Sequence, residues 1–208
     1  MPLPDLLVVS SALPLLDIAG IAIFAISGAL AAARRGLTVV TFFFFAVATG
    51  TGGGTLRDLL IGAPVFWIQD NRALAVCLIA ALTVWMTPRS IWPVKALEWF
   101  DAAGLAAYAV FGSWKALAYG VPPLGAAVMG IITACMGGLI RDVLAAEPSI
   151  LLRPELYVTA AALAAGLFVL LVWAGVPLSV AAAVAVLAGF TLRAVAIARG
   201  LALPGYRD

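Results

Sequence analysis

The feature that most restricts the fold of this chain is a succession of apolar segments, each about as long as a lipid bilayer is thick. Seven segments can be read from the sequence, at residues 12–33, 37–56, 73–87, 99–119, 123–140, 157–172 and 177–198. A helix needs about 20 mostly apolar residues to cross a hydrocarbon core roughly 30 Å thick. Only 11% of the residues are charged, against about 25% in soluble domains. We therefore expect an all-α integral membrane protein with seven transmembrane helices.

The sequence also contains an internal repeat with an offset of 84 residues. Residues 17–64 and 101–148 align without a gap, and fifteen of these forty-eight positions are identical. The identities include scarce residue types, such as Asp17 with Asp101 and Thr49 with Thr133. They also include the sequences Gly-Gly-x-x-Arg-Asp at 53–58 and 137–142. Biased composition alone does not place these residues in register, so we interpret the repeat as a duplication.

Each copy of the repeat contains three spans, and an odd number reverses the direction of the second copy. We therefore predict a first three-helix repeat at 12–87, a second, inverted three-helix repeat at 99–172 and a seventh transmembrane helix at 177–198. Nine of the twelve Lys and Arg residues lie on the side of the C-terminus. The positive-inside rule then predicts a multi-pass protein of the cell inner (plasma) membrane, with its N-terminus outside and its C-terminus in the cytoplasm.

The repeated glycines are the first candidate functional feature. Gly costs about 1 kcal/mol relative to Ala in a helix, so adjacent glycines favour a kink or an unwound turn. Such backbone is tolerated at membrane depth where it lines a cavity, and its free carbonyls suit a cation. The pathway candidates are Gly52, Gly53, Gly54, Gly137 and Gly138. The alternative is that the glycines only allow close helix packing.

Hydroxyl groups precede both glycine clusters, on Thr49, Thr51 and Thr133. They can contact a permeant potassium or sodium ion, or they can bond to a carbonyl of their own helix. Both interpretations are compatible with the sequence.

Charged residues in the spans are the third group of candidates. Arg57, Asp58, Arg141 and Asp142 follow the glycines, and each is either part of the pathway or an interfacial residue that ends the helix. Neighbours in a helix point about 100° apart, so we expect each Arg and its adjacent Asp to have different partners. Lys115 has no local carboxylate and is a further pathway candidate.

The remaining buried charges are assigned to structural roles. Asp17 and Asp101 begin the first helix of each repeat, and we expect them to cap these helices or to pair with arginines of a neighbouring span. Arg193, in the last span, has no acidic residue near it in the sequence.

Other functions are excluded by residues that are missing. The chain has no histidine, and its two cysteines lie in apolar segments without metal-ligand spacing. We therefore expect no catalytic residues, no metal site and no cofactor. The net charge of only +2, without a basic stripe, indicates no nucleic-acid partner.

The layout of three, three and one spans, with glycines in the second and fifth, resembles the trimeric intracellular cation (TRIC) channels, and more specifically their prokaryotic homologues. The resemblance extends from about residue 12 to 198. It implies a homotrimer among membrane lipids in which each protomer has its own pore. It also implies selectivity for monovalent cations, chiefly potassium. By motif match, the pore-lining glycines correspond to Gly52, Gly53, Gly54, Gly137 and Gly138.

The sequence departs from the animal members of this family, which have Lys-Glu-Val after the first glycines where this chain has Thr55-Leu56-Arg57-Asp58. Related small bacterial membrane proteins have been proposed as glycine transporters. The sequence therefore leaves open a cation channel, a secondary transporter of glycine or a similar zwitterion, and a helical bundle without transport activity.

Overall fold

The computed structural model describes residues 12–204, with side-chain surroundings from residue 16 onward. Within this range the chain is helical, and it contains no strand beyond one isolated bridge between Glu155 and Ala202. The α-helices are α1 (Ala12–Arg34), α2 (Val39–Leu60), the single turn α3 (Phe66–Gln69), α4 (Arg72–Met86), α5 (Ala96–Ala118), α6 (Pro123–Leu144), α7 (Val158–Trp173) and α8 (Leu178–Arg199). Short 3₁₀ turns precede α5 and α7.

Four of these helices, α1, α2, α6 and α8, are long and apolar enough to cross a membrane by length and composition. The other three expected spans correspond to α4, α5 and α7. Helices α4 and α7 are apolar but have only 15 and 16 residues. Helix α5 has 23 residues and carries three charges, at Glu98, Asp101 and Lys115.

Of the two expected effects of the glycines, a kink or an unwound turn, the unwound turn is wrong. Helices α2 and α6 run without interruption through 52–54 and 137–138, so their carbonyls stay in the helical hydrogen-bond ladder. The energies explain this outcome. Each glycine costs a helix about 1 kcal/mol, whereas a backbone group left unpaired in lipid costs several kcal/mol.

The helix ends repeat between the two halves of the chain. A glycine in the left-handed region lies two residues after the end of both α1 and α5: Gly36 with φ 66° and Gly120 with φ 81°. In each case the next residue donates its N–H to the carbonyl five residues earlier, Leu37 to Ala32 and Val121 to Ala116. This is the Schellman arrangement, which glycine permits because it has no Cβ.

Two groups of contacts define the ends of the helical bundle. At one end, Arg34 donates to the carbonyl of Val94 (2.7 Å) and Arg35 to that of Ala146 (3.0 Å), which joins the end of α1 to the segments before α5 and after α6. We call this the Asp101 end. At the other, the Lys115 end, Lys115 lies 2.8 Å from Asp58 and so joins the ends of α5 and α2.

Candidate functional site

The centre of the bundle is a contact between the backbones of α2 and α6. A β-carbon built at Gly53 would overlap the carbonyl oxygen of Thr133, and one built at Gly137 would lie 2.7 Å from the carbonyl oxygen of Thr49. These two contacts are equivalent under the 84-residue offset. The glycines therefore allow two helices to touch without side chains between them, which is the packing alternative left open by the sequence.

The neighbouring glycines have different environments. A β-carbon at Gly52 would meet the end of the Ile140 side chain, and one at Gly54 would meet the ring of Phe66. A β-carbon at Gly138 would lie 2.7 Å from the Tyr157 hydroxyl. Of the five glycines predicted to line a pathway, only Gly53 and Gly137 lie where α2 and α6 meet backbone to backbone.

Two stacked aromatic rings next to the crossing also make matching contacts between the two halves of the chain. Phe24 of α1 and Tyr108 of α5 occupy equivalent positions, and their ring centroids are 5.4 Å apart with an interplanar angle of 15°. Tyr108 lies over Gly20, and Phe24 lies over Gly104. Each ring thus fills the space left by the glycine of the other half, which holds α1 against α5.

The Arg-Asp motifs form the charged sites at the two ends of the bundle. Arg57 Nε donates to Asp58 Oδ1 (2.8 Å), and Arg141 Nε donates to Asp142 Oδ1 (2.9 Å). The expectation that adjacent Arg and Asp have different partners is therefore wrong. Neighbouring Cα–Cβ directions differ by about 100°, but an arginine side chain is long enough to reach the carboxylate of the next residue.

Both aspartates also hold the chain segment that follows their helix. Asp58 Oδ2 accepts the backbone N–H of Phe66 (3.1 Å), and Asp142 Oδ2 accepts that of Ile150 (2.8 Å). Asp58 is fully buried and Asp142 is 6% exposed. Each carboxylate satisfies an N–H at the start of a short helical turn, so the motif has a structural role at both ends.

At the Asp101 end the charges are almost fully paired. Arg141 Nη1 donates to Asp101 and to the Ser27 hydroxyl (2.6 Å), while Nη2 lies 2.8 Å from Asp142. Arg141 therefore joins α1, α5 and α6. Asp101 thus pairs with an arginine of the neighbouring span, one of the two arrangements that the sequence left open.

The Lys115 end has a different arrangement. Asp58 lies 2.8 Å from both Arg57 and Lys115, while Phe111, at the position equivalent to Ser27, lies 5.1 Å from the Arg57 guanidinium. Asp17 Oδ1 is buried and has no hydrogen-bond partner in the described part of the chain. Asp101 Oδ2 is likewise buried without a hydrogen-bond partner among the described residues, so what distinguishes the Lys115 end is a lysine that has no counterpart at the Asp101 end.

The threonine hydroxyls divide between the two predicted uses. Thr51 Oγ1 donates to the carbonyl of Val47 (2.8 Å) and Thr133 Oγ1 to that of Met129 (2.7 Å), as helix-bonded hydroxyls do. The Thr49 hydroxyl is buried and has no hydrogen-bond partner among the described residues. Thr49 alone of the three keeps a hydroxyl free beside the crossing.

Arg193 has an acidic partner that is distant in sequence. Its Nη2 lies 2.7 Å from Glu155, in the segment before α7, and its guanidinium lies 5.3 Å from the ring of Tyr157. Sequence reasoning missed Glu155, Tyr157 and Ser27. The aromatic pair Phe24 and Tyr108 was detectable, because the two residues are aligned by the repeat although they are not identical.

Together these features define a class: an α-helical, multi-pass membrane protein whose two halves make matching contacts 84 residues apart. A family model described as "Glycine transporter" matches the chain twice, at residues 14–89 and 98–173. The chain is 45% identical to a UPF0126 membrane protein of Vibrio cholerae over 73% of this chain and 64% of that protein, so it spans slightly less than two thirds of that relative. It is 42% identical to the UPF0126 inner membrane protein YadS of Escherichia coli, over 70% of this chain and 72% of that protein.

The chain is also similar to solved structures of membrane proteins. The TRIC trimeric intracellular cation channel orthologue from Rhodobacter sphaeroides has a TM-score of 0.86 and 38% identity, covering 92% of this chain and 100% of that one. A prokaryotic TRIC channel crystallised in 0.5 M KCl has a TM-score of 0.83 and 30% identity, covering 91% and 97%. The chain therefore belongs to this family of bacterial membrane proteins, as a prokaryotic member of the TRIC family.

Proposed function

We propose that the chain is a channel for monovalent cations, chiefly potassium, and that it works as a homotrimer with one pore in each protomer. The proposal is supported by similarity to solved proteins described as cation channels, at 30–38% identity and over at least 91% of this chain. The trimer is supported by the same resemblance, since the Rhodobacter sphaeroides orthologue is described as trimeric.

The proposed topology has seven spans: two inverted three-helix repeats, at 12–87 and 99–172, and a seventh helix at 177–198. The observations that support inversion are the equivalent contacts exchanged across the two halves, such as Phe24 on Gly104 and Tyr108 on Gly20. The two Arg-Asp motifs lie at opposite ends of the bundle, which also supports the inversion of the second repeat. The basic residues concentrate on the side of the C-terminus, which favours a cytoplasmic C-terminus and an outer N-terminus.

The observation that carries the proposed pathway is the glycine contact between α2 and α6. It lies between the two charged ends, and it is the place where the carbonyl oxygens of Thr49 and Thr133 approach the opposite helix. A helical carbonyl keeps a second lone pair after its hydrogen bond, so these oxygens can coordinate a cation. The free hydroxyl of Thr49 adds a third acceptor.

In this structure the two helices touch at the crossing, so conduction requires them to separate. Glycine favours such a movement. Gly53 and Gly137 have no side chains that pack against the other helix. Separation of the helices therefore exposes backbone and breaks few side-chain packing contacts at these positions. We infer that the crossing is the constriction of the pathway.

The charged residues at the two ends of the bundle have proposed roles at the mouths of the cation pathway. At the Lys115 end, Lys115 shares Asp58 with Arg57, and a shift of the lysine would leave the carboxylate available to a cation. At the Asp101 end, Arg141 engages both Asp101 and Asp142, which favours a fixed mouth. The carboxylate at the Lys115 end is therefore easier to free for a cation than the carboxylates at the Asp101 end.

Ion flux from purified protein in liposomes tests the proposal. Potassium efflux that collapses a gradient, without uptake of labelled glycine on the same preparation, is the expected result. Saturable glycine uptake that unlabelled glycine competes, with little ion leak, would contradict the channel and favour the activity named in the family description. Absence of both in correctly assembled protein would favour a bundle without transport activity.

A further inference from the structure

A cavity at the Asp101 end takes no part in the pathway proposed above. It has a volume of about 370 Å³, within the range of small-ligand sites, and lies between the end of α1, the 88–95 segment and the start of α5. Its charged lining residues are Arg34, Arg89 and Glu98, and its apolar wall includes Leu30 and Trp92. We call it the Arg34–Arg89 pocket.

The position of the pocket indicates the membrane surface. Helix α4 ends at Met86, and the segment that follows exposes large apolar side chains, with Ile91 at 60% and Val94 at 91% exposure. Trp92 lies between them and donates to the Thr87 hydroxyl (2.8 Å). Exposed apolar residues with a tryptophan at a helix end are typical of the boundary between headgroups and acyl chains.

The two arginines are held in place but keep donors to spare. Arg34 Nη2 donates to the carbonyl of Val94 (2.7 Å), and Arg89 Nη2 donates to that of Ala33. A guanidinium has five N–H donors, so each arginine can still present a pair of donors to a phosphate, the geometry that arginine recognises best. Glu98 lines the same pocket and forms no ion pair with a described residue.

We propose that the Arg34–Arg89 pocket binds the headgroup of a phospholipid that carries both a phosphate and a primary amine. The phosphate binds to Arg34 and Arg89, the ammonium group to Glu98, and the acyl chains lie along Ile91 and Val94. A phosphoethanolamine headgroup matches this order of charges. An anionic headgroup without an amine leaves Glu98 unpaired and close to its own negative charge.

Native mass spectrometry of the detergent-purified full chain tests the proposal without any measurement of ion flux. The probes are dioleoyl phosphatidylethanolamine, phosphatidylglycerol and phosphatidylcholine, which have the same acyl chains. We expect the wild type to retain phosphatidylethanolamine best, because the choline group lacks the N–H donors that Glu98 can accept. Equal retention of the three lipids would overturn the proposal.

Three variants separate the contributions of phosphate binding and ammonium binding to lipid retention. Arg89→Gln should weaken retention of all three lipids about tenfold, as expected for the loss of charged hydrogen bonds. Glu98→Gln should remove the preference for phosphatidylethanolamine over phosphatidylcholine and leave overall retention largely intact. Arg199→Gln is the matched control, since Arg199 is exposed in the last turn of α8 and does not line the pocket. If Arg199→Gln lost as much lipid retention as Arg89→Gln, the effect would come from general surface charge. That result would overturn the proposed headgroup site in the pocket.

Soluble phosphoethanolamine distinguishes a lipid from a free phosphate ester. At the same concentration it should displace the lipid poorly, because it lacks acyl chains to cover Ile91 and Val94. Displacement as effective as that by the lipid would overturn the membrane source. If Arg89→Gln fails to assemble, Arg89→Lys keeps the charge, and Glu98→Gln still tests the headgroup preference.

Discussion

Gly53 lies directly against the backbone carbonyl of Thr133, and the equivalent Gly137 lies against that of Thr49. The two contacts make the crossing of α2 and α6 a junction of backbones. The glycines act here by having no side chain rather than by breaking the helix. That distinction determines what substitutions at these positions should do.

Substitution of Gly53 or Gly137 by Ala should destabilise the protein. The added methyl group has no space against a carbonyl group, and overpacking a well-packed contact costs about 1–3 kcal/mol. Because the sites are equivalent, the two losses should be similar. Thermal unfolding in detergent measures them.

Gly166→Ala in α7 is the control for those variants, because nothing lies within 4 Å of a β-carbon built there. It should be neutral or stabilising by up to about 1 kcal/mol, the helix propensity of Ala over Gly. If Gly53→Ala behaved like Gly166→Ala, the close contact at the crossing would be refuted.

The Gly53→Leu variant tests the role of the crossing in ion flux. In assembled protein it should lower potassium permeation strongly, and wild-type flux would remove Gly53 from the pathway.

Ala146 is a position where the two halves of the chain share a left-handed backbone conformation but differ in residue type. Its φ is 49°, while the equivalent residue is Gly62 with φ 70°. A left-handed conformation costs a residue with a Cβ roughly 1–2 kcal/mol. Ala146→Gly should therefore raise the unfolding temperature and Gly62→Ala should lower it. Shifts in the same direction for both would contradict the assigned backbone conformations.

The two buried arginines should differ in how much the protein depends on them. Arg141→Gln leaves both Asp101 and Asp142 without their cationic partner, whereas Arg57→Gln leaves Asp58 with Lys115. Loss of one partner from a buried pair costs about 3–5 kcal/mol. We expect Arg141→Gln to approach or exceed that range and Arg57→Gln to fall below it.

Comparison of unfolding free energies for the two arginine variants tests this difference. Asp101→Asn combined with Arg141→Gln provides the internal check, because it removes one of the two unpaired carboxylates. The double variant should recover part of the loss. A double variant less stable than the single Arg141→Gln would show that Asp101 is not a partner of Arg141.

Asp58→Asn should weaken cation preference, because it removes negative charge from the Lys115 end while Arg57 and Lys115 stay. Asp142→Asn is the matched variant at the other end. Reversal potentials in a potassium chloride gradient report the change. An unchanged reversal potential for Asp58→Asn would leave Asp58 with only its structural bond to Phe66.

Much of the architecture was predictable because it depends on local sequence. The ends of the helices follow the apolar runs and the glycines, as at Gly36 and Gly120, and the predicted limits of the spans differ from the helices by a few residues. The 84-residue offset also relates contacts that are distant in sequence. In this sense a repeat supplies long-range information that periodicity alone lacks.

The partners of the buried charges were not predictable in the same way. Whether Arg57 turns towards Asp58, and whether Glu155 reaches Arg193, depends on how loops return to the bundle. The continuity of α2 through its glycines was misjudged because propensity is a weak term in lipid. There the cost of an unpaired backbone group exceeds the cost of each glycine.

The reversal potential of purified wild-type protein in a planar bilayer, under a potassium chloride gradient, tests most directly whether the chain is a cation channel. We expect channel currents that reverse close to the equilibrium potential of potassium. Currents that reverse towards the chloride equilibrium potential, or no current from assembled protein at any voltage, would contradict it.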